Sequence, residues 1–433
     1  MNYKGTIMNR HVLEIDTSHD RRKRNTPVSR AANWVDLAVR SGMIYPQIRI
    51  IESAPGPVMH VDGKAVLNFS SNNYLGLSDH PRLKEAAVRA IGRYGVGSTG
   101  SRLLSGNVTI HEELETKMAD FKRGEAAIVF SSGYATNVGI INAVLNIPKL
   151  SIIDYLSHNT FRRTDVVLSD ALNHASIIDG CRMSRRECVV YHHNDMNDLE
   201  MKLKRYQRRG KLVVTDGVFS MDGDIAKLDE IVFLCRKYNA AVMVDEAHAT
   251  GTLGRTGRGT TEHFGLTVGE DVDIVQGTCS KSIGAVGGYA VCSRELIKYL
   301  RVMGRSYMFS TAMPPAVSAT ILEALAVMDE EPWRMEKVQE NAVYLRDGLK
   351  RLGFDTLTSE TQIIPLLVGE TDMTIRFSQR LFERGIYGPA VRWPAVDKKL
   401  GRVRFCVMAT HTREHLDSLL TACTDLGQEF GII

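Results

Sequence analysis

The sequence predicts an α/β fold with a large, doubly wound and mainly parallel sheet, followed by a smaller α+β domain. Between about residues 125 and 295, short apolar runs alternate with segments of helical periodicity. Continuous apolar runs are typical of parallel strands, because helices cover both faces of such a sheet. The seven runs are Ala127–Phe130, Val166–Leu168, Cys188–Tyr191, Leu212–Val214, Ala241–Val244, Ile274–Val275 and Tyr289–Val291.

The elements before this region are predicted from local patterns. Residues 31–50 predict an amphipathic helix that leads into an extended segment. Val58–Asn68 predicts a β-hairpin that turns at Asp62-Gly63, since this dipeptide is a strong hairpin signal. Apolar residues at helical spacing predict helices over Pro81–Tyr94 and Ile110–Phe121.

The elements after the sheet region form the predicted smaller domain. A long helix is expected over Ala316–Met328, directly after two prolines. From about residue 335 the pattern is helix, strand, helix, strand, helix, with strands at Ile363–Val368 and Arg402–Met408.

The 433 residues are long enough for several domains and a large core. We expect an N-terminal arm and helix over residues 1–67, a large ligand-binding domain over 68–312 and a small domain over 313–433.

The composition excludes several classes of protein. A net charge of +4 is too weak to indicate a nucleic-acid partner. No apolar stretch approaches the roughly 18 to 20 residues that cross a bilayer, and no signal-peptide segment is present. Seven scattered cysteines without a C-x-x-C pair indicate reduced thiols. We expect a cytoplasmic protein with no integral membrane segment and no metal site.

Lys281 and Asp245 are the most informative residues of the chain. Asp245 directly follows the apolar run that ends at Val244, and Lys281 lies shortly after the run that ends at Val275. Both therefore fall where strands of an α/β sheet end and ligands bind. A lysine amine that can form a Schiff base and a carboxylate that keeps a pyridine nitrogen protonated are what a pyridoxal phosphate enzyme requires.

Two other motifs fail for lack of their structural context. Gly95–Gly100 matches G-x-G-x-x-G, but it follows a helix, whereas a dinucleotide fingerprint follows a strand. Asp245–His248 spells the DEAH box of helicases, but no phosphate-binding G-x-x-x-x-G-K-[ST] run exists in the chain. We therefore reject both nucleotide-binding interpretations. Under the cofactor interpretation, His248 can reach a ring oxygen.

Further polar residues follow other predicted strands. His174 can stack on a planar cofactor, although it could equally be a histidine at the start of a helix capped by Asn173. Ser220 lies in the turn-rich segment Thr215–Asp224, where its hydroxyl could contact a ligand or where the segment is merely a turn.

A phosphate site is indicated by polar residues beside a helix start. Ser131–Tyr134 follows a strand and precedes a helix expected to begin at about Ala135, and helix N-termini bind phosphate. Thr278 lies near the lysine, and Ser310-Thr311 offers further hydroxyls. Each signal is weak alone, and their combination in one chain is strong.

In its motifs the chain resembles the α-oxoamine synthases, which are pyridoxal phosphate enzymes with the fold type I aminotransferase architecture. The resemblance extends from about Asn68 to the C-terminus. The matching blocks are Asn68–Leu77, Gly97–Arg102, Asn173–Ser176, Val218–Gly223, Val244–His248, Gly277–Lys281 and Arg402–Arg404.

The resemblance implies a role for individual residues at matching positions. The implied cofactor-binding residues are Gly133, Tyr134, His174, Ser220, Asp245, His248, Thr278, Lys281, Ser310 and Thr311. Lys281, His174 and Asp245 are the implied catalytic residues. Asn72 and Arg404 are implied to bind the substrate's carboxylate. The family's homodimers imply that Ser310 and Thr311 reach the partner subunit's site.

The resemblance also implies the reaction, a decarboxylative condensation of an amino acid with an acyl-CoA, or acyl carrier protein, thioester. We favour a serine palmitoyltransferase-like or 8-amino-7-oxononanoate synthase-like enzyme. A 2-amino-3-ketobutyrate CoA ligase-like enzyme or a transaminase remains an alternative. About sixteen residues around Asn146–Thr164 exceed the family's pattern and could form a surface excursion or affect substrate entry.

Overall fold

The computed structural model describes residues 25–40, 48–148 and 165–433. The chain divides into two compact units, residues 1–50 and 51–433. In the first unit the described helix is α1, Pro27–Arg40, which begins earlier than predicted, with proline at its first position. The predicted insertion lies outside the described residues, apart from residues 146–148. The predicted boundaries after residues 67 and 312 stay predictions.

The second unit carries the remaining elements. Its helices are α2 Pro81–Tyr94, α3 Thr109–Lys122, α4 Gly133–Leu145, α5 Ala175–Ser184, α6 Met196–Arg205, α7 Leu228–Lys237, α8 Thr260–His263, α9 Arg294–Met303, α10 Arg305–Met308, α11 Pro315–Glu330, α12 Trp333–Arg351, α13 Thr371–Glu383 and α14 Arg413–Glu429. Its strands are β1 Val58–Val61, β2 Lys64–Asn68, β3 Ala126–Phe130, β4 Val166–Asp170, β5 Glu187–Tyr191, β6 Lys211–Asp216, β7 Ala241–Asp245, β8 Ile274–Thr278, β9 Gly288–Cys292, β10 Ile363–Gly369, β11 Ile386–Tyr387, β12 Ala390–Val391 and β13 Gly401–Cys406.

The central sheet contains seven strands in the order β3-β9-β8-β7-β6-β4-β5. Strand β9 runs antiparallel to both neighbours, and the other pairs are parallel. Each of the seven apolar runs is one of these strands, which confirms the predicted mainly parallel sheet. Along β6, Val213 faces one buried apolar cluster while Leu212 and Val214 face another. Because both faces are covered, these strands are apolar throughout rather than alternating.

The register of the sheet aligns the ends of its parallel strands. Asp216, Asp245 and Gln276 are successive partners across β6, β7 and β8. In parallel strands, paired residues point to the same face. The sheet therefore presents two carboxylates and an amide side by side at the edge where ligands bind in open α/β folds.

Two small sheets complete the second unit, with the orders β1-β2-β11 and β10-β13-β12. The predicted hairpin is β1-β2, and its turn residues Asp62 and Gly63 have φ values of 49° and 74°. Positive φ at both central residues is the geometry of a tight hairpin turn. Within the described residues no helix is long and apolar enough to cross a membrane.

Candidate active site

A cavity of about 250 Å³ opens at the carboxyl ends of β6, β7 and β8. It brings together eight residues predicted from the sequence, which are Gly133, Tyr134, His174, Ser220, Asp245, His248, Thr278 and Lys281. They come from five separate stretches of the chain, so only the fold makes them neighbours. The four other predicted residues do not line this cavity.

Lys281 lies half-buried in the cavity wall, three residues after the end of β8. Burial lowers the pKa of its amine to about 8, and the charge of Asp245 opposes that shift. A buried ammonium is destabilised because it loses its hydration. About a fifth of the amine is therefore neutral at about pH 7.4, far more than for an ordinary lysine, and can act as a nucleophile or base.

Asp245 is buried at the end of β7, with both carboxylate oxygens hydrogen-bonded. Asn137 of α4 donates its side-chain N–H to Oδ2 at 2.7 Å, and the Ala247 backbone N–H donates to Oδ1 at 2.9 Å. Hydrogen bonds to both oxygens fix the orientation of this carboxyl group. The sequence did not single out Asn137, which reaches Asp245 only because the fold packs α4 against the central sheet.

His174 lies at the start of helix α5, and it is itself the residue that caps this helix. Its Nδ1 accepts a hydrogen bond from the backbone N–H of Ser176 at 3.2 Å, so the prediction that Asn173 caps this helix is wrong. Asn173 instead donates to the backbone oxygen of Val214 at 2.8 Å. Burial lowers the pKa of His174, opposed by the charge of Asp245. With Nδ1 accepting, the neutral ring carries its proton on Nε2.

His248 is buried and also lines the cavity. Its Nδ1 and the Tyr74 hydroxyl are 2.7 Å apart, and Tyr74 also donates to Asn72 Oδ1 at 3.0 Å. Burial, reinforced by the charge of Lys281, lowers the pKa of His248 well below its usual range. The single hydroxyl proton of Tyr74 is donated to Asn72, so Tyr74 must accept the hydrogen bond from Nδ1 of His248. The neutral imidazole therefore carries its proton on Nδ1, and its Nε2 is an acceptor.

The third wall of the cavity is the start of α4. The helix begins at Gly133, two residues earlier than predicted, because the Ser132 side chain caps it by accepting the Ala135 N–H at 3.1 Å. A Cβ on Gly133 would lie 2.9 Å from Cβ of Thr278, so only glycine allows this close approach. The free N–H groups of the first turn favour an anion such as phosphate.

Arg404 and Asn72 lie together beside the cavity. Arg404 is buried on β13, and its Nη1 donates to Asn72 Oδ1 at 3.4 Å and to the thiol sulfur of Cys406 at 3.1 Å. Its Nε donates to the backbone oxygen of Ser220, and Ser220 is one of the residues that line the cavity. The guanidinium is thus held at one edge of the site.

Ser310 and Thr311 are not brought to this cavity within the chain. Thr311 is exposed and Ser310 half-buried, and the preceding Phe309 is 68% exposed. Their predicted role in a partner's site stays a prediction.

The donor set of the cavity fits pyridoxal phosphate. It holds a partly neutral amine for the aldehyde, a buried carboxylate for the ring nitrogen and a helix start for the phosphate. The amide oxygen of Asn137 and both amide atoms of Gln276 are buried in the cavity wall with no protein partner, although buried polar atoms are normally hydrogen-bonded. The wall is therefore built to meet a polar ligand. Gln276 and Asp216 gave no sequence signal beyond their position at strand ends.

The sheet and this site define the class of fold type I pyridoxal phosphate enzymes. The chain belongs to the aminotransferase class I and II family, whose model matches residues 64–422. It is 49% identical over 392 residues to 8-amino-7-oxononanoate synthase of Thermoanaerobacter pseudethanolicus, covering 90% of this chain and 95% of that one. It is 43% identical over 397 residues to 8-amino-7-oxononanoate synthase 1 of Bacillus subtilis, covering 92% and 97%.

Solved structures give the same family. A serine palmitoyltransferase from S. paucimobilis superposes with a TM-score of 0.86 at 32% identity, covering 95% of this chain and 100% of that one. The Sphingomonas wittichii serine palmitoyltransferase gives a TM-score of 0.84 at 32% identity, covering 93% and 97%. The predicted resemblance to the α-oxoamine synthases is confirmed.

Proposed function

We propose that this chain catalyses the pyridoxal phosphate-dependent condensation of an amino acid with an acyl thioester, with loss of CO₂ and of the free thiol. The observation that carries the proposal is the cavity in which the Lys281 amine, with its pKa lowered to about 8, shares a wall with the buried Asp245 carboxylate. Family relatives at 43% to 49% identity support the same chemistry.

The cofactor would be held by three groups of the chain. When bound, pyridoxal phosphate supplies an aldehyde that links amines and a ring that accepts electrons from the substrate's Cα. Lys281 would hold it covalently, Asp245 would pair with the ring nitrogen, and the first turn of α4 with Thr278 would hold the phosphate. His174 would lie against the ring, with Ser220 and His248 at its oxygen.

Lys281 would also move the proton that the reaction requires. Once an incoming amino acid takes its place, its neutral Nζ can accept the proton from the substrate's Cα and later return one to the product. A base works best when its pKa lies near the working pH, which the buried site provides. Arg404 and Asn72 would orient the substrate by holding its carboxylate at the cavity edge.

For the substrates, we propose alanine and a seven-carbon acyl thioester that ends in a carboxylate. The relatives' name describes a nine-carbon product with the amino group on C8 and the oxo group on C7. Decarboxylative condensation leaves two carbons from alanine, so the thioester must supply the other seven. A serine palmitoyltransferase activity is the second candidate, supported by structural neighbours at 32% identity.

The experiment is a substrate panel with the purified holoenzyme. Glycine, alanine and serine are each combined with acetyl-CoA, a seven-carbon dicarboxylic acyl-CoA, the same acyl group on acyl carrier protein, and palmitoyl-CoA. Thiol release and product mass are measured, with Lys281→Ala as the inactive control. We expect turnover with alanine and the dicarboxylic acyl group. Product from serine with palmitoyl-CoA would select the second candidate, and product from glycine with acetyl-CoA the ligase alternative. Amino transfer without thiol release would contradict the condensation.

A further inference from the structure

His193 lies outside the cavity but joins two of the loops that form it. It follows the edge strand β5, and its ring bridges two buried carboxylates. Nδ1 lies 2.9 Å from Oδ1 of Asp170, and Nε2 lies 2.8 Å from Oδ2 of Asp224. Asp170 ends β4, whereas Asp224 lies in the segment after β6.

The ring must be an imidazolium to make both contacts. A carboxylate only accepts hydrogen bonds, and a neutral imidazole has a single N–H to donate. Burial alone would lower the pKa of His193, but the hydrogen bonds and charges of Asp170 and Asp224 raise it to about 10. Besides these two carboxylates, the ring packs against the apolar ring of Phe219, and the two ring centroids are 4.4 Å apart.

Asp170 holds the loop that carries His174, residues 171–174. Its Oδ1 accepts the Leu172 N–H at 2.8 Å, and its Oδ2 accepts the Asn194 N–H at 3.0 Å. Further along the same loop, the backbone N–H of His174 donates to Asp216 Oδ2 at 3.0 Å. The position of the His174 ring is thus set partly by how Asp170 is held.

Asp224 closes the loop that carries Ser220, residues 217–225. Its backbone oxygen accepts the Phe219 N–H at 3.0 Å, so the two ends of the segment around Ser220 meet. The backbone oxygen of Ser220 in turn accepts the Nε of Arg404. Asn194 adds a bond from its side-chain N–H to Asp224 Oδ2 at 3.1 Å.

We infer that His193 is a positioning residue whose imidazolium fixes the distance between the loop that carries His174 and the loop that carries Ser220. Because the Ser220 oxygen accepts a hydrogen bond from Arg404, the same bridge also positions Arg404. His193 does not line the cavity itself. The inference rests on the proposed function only in assigning those three residues to ligand contacts. A misplacement of about 1 Å near reacting groups costs up to roughly a hundredfold in rate, so a remote bridge of this kind can control substrate binding.

The test compares His193→Gln with His192→Gln. The control residue is the adjacent histidine, which also pairs with a carboxylate, Asp198 at 3.1 Å, but whose side chain is 81% exposed. We expect His193→Gln to raise the amino-acid KM about tenfold or more, and His192→Gln to leave it unchanged. A rescue variant, His193→Arg, returns a positive charge with N–H donors for both carboxylates. We expect it to bring the amino-acid KM most of the way back to the wild-type value.

Two readouts separate this role from a merely structural one. A structural residue would lower the melting temperature and the active fraction without moving the amino-acid KM, and that result would overturn the inference. The second readout is the NMR spectrum of histidine-labelled protein at pH 8. The ring resonance that disappears in His193→Gln belongs to His193, and we expect its chemical shift to be that of an imidazolium. The chemical shift of a neutral ring would contradict the bridge. If the wild-type holoenzyme shows no spectral response to any amino acid, the proposed function fails instead, while the resonance still tests the bridge.

Discussion

Asp245 and Asp216 are neighbouring buried carboxyl groups at strand ends, and they are held in different ways. Asp245 accepts hydrogen bonds from Asn137 and Ala247, which occupy both of its carboxylate oxygens. Burial and the nearby charge of Asp245 raise the pKa of Asp216 well above its usual range. The protonated form of Asp216 is therefore favoured, as expected for a buried carboxyl group beside another. We therefore propose Asp245 as the partner of the ring nitrogen.

Asp245→Asn should retain the cofactor and lose roughly 100- to 1,000-fold in turnover, since a neutral amide cannot hold a ring nitrogen protonated. Asp216→Asn is the matched comparison, because it changes the neighbouring carboxyl group in the same way. Cofactor content is measured by absorbance and turnover by thiol release. A larger loss of turnover in Asp216→Asn than in Asp245→Asn would show that the ring nitrogen pairs with Asp216 instead.

The lowered pKa of Lys281 predicts how cofactor capture depends on pH. Only the neutral amine attacks an aldehyde, and its pKa of about 8 makes the neutral form abundant at lower pH than for an ordinary lysine. The apoprotein should therefore bind pyridoxal phosphate about fivefold faster at pH 8 than at pH 7, and change less than about twofold above pH 8.5. Stopped-flow absorbance measures the rate. A rate that still rises about tenfold per pH unit up to pH 10 would show an unshifted lysine.

At the scale of elements, β13 aims two arginines at the loop that carries Ser220. Side chains two residues apart point to the same face of a strand, so Arg402 and Arg404 both reach that loop. Arg402 is ion-paired with Asp222, whereas the hydrogen bonds of Arg404 in the described part of the chain go to uncharged groups, among them the Ser220 oxygen, Asn72 and Cys406. Arg404 is therefore the arginine that we propose for the substrate carboxylate.

Arg404→Ala should raise the amino-acid KM with little change in the thioester KM. Loss of a charge-assisted contact in a buried site costs on the order of 2–4 kcal/mol, or about 30- to 1,000-fold in affinity. Arg402→Ala is the control. This change leaves Asp222 without its ion pair, so it should lower the stability of the protein and leave the amino-acid KM unchanged. Unchanged amino-acid saturation in Arg404→Ala would show that another residue contacts the carboxylate.

The sequence was informative about elements wherever a pattern spans several residues. The seven apolar runs and the hairpin at Asp62-Gly63 have a period or a turn signal that identifies them. Strands β11 and β12 have two residues each and show no periodicity, so they could not be predicted. Asn137 was missed for another reason, since its contact with Asp245 spans 108 positions and exists only through the packing of α4. Strand-end residues are thus predictable, and the groups that orient them from neighbouring elements are not.

At the scale of the whole molecule, two predicted site residues lie away from the cavity of their own chain. Ser310 and Thr311, which the family resemblance places in a cofactor site, do not line that cavity. They follow an exposed Phe309, and Leu104, between α2 and α3, is 84% exposed. The two segments are joined where the Ala312 N–H donates to the Gly100 oxygen at 2.9 Å, and apolar surface gathered in one region is typical of a surface that meets a partner. We propose a homodimer in which each subunit completes the other's site.

Mixing two inactive variants tests this shared site. One variant is Lys281→Ala, and the other combines Ser310→Glu with Thr311→Glu, which places carboxylates against a phosphate. If Ser310 and Thr311 act across the interface, a mixed dimer keeps one intact site, formed by Lys281 of one subunit and the two hydroxyls of the other. Random reassociation makes about half of the dimers mixed, so activity should recover to about a quarter of wild type. If these residues served their own chain, every site in the mixture would carry a defect and no activity would return. Light scattering on the same samples measures the assembly, and a fully active monomer would refute the shared site.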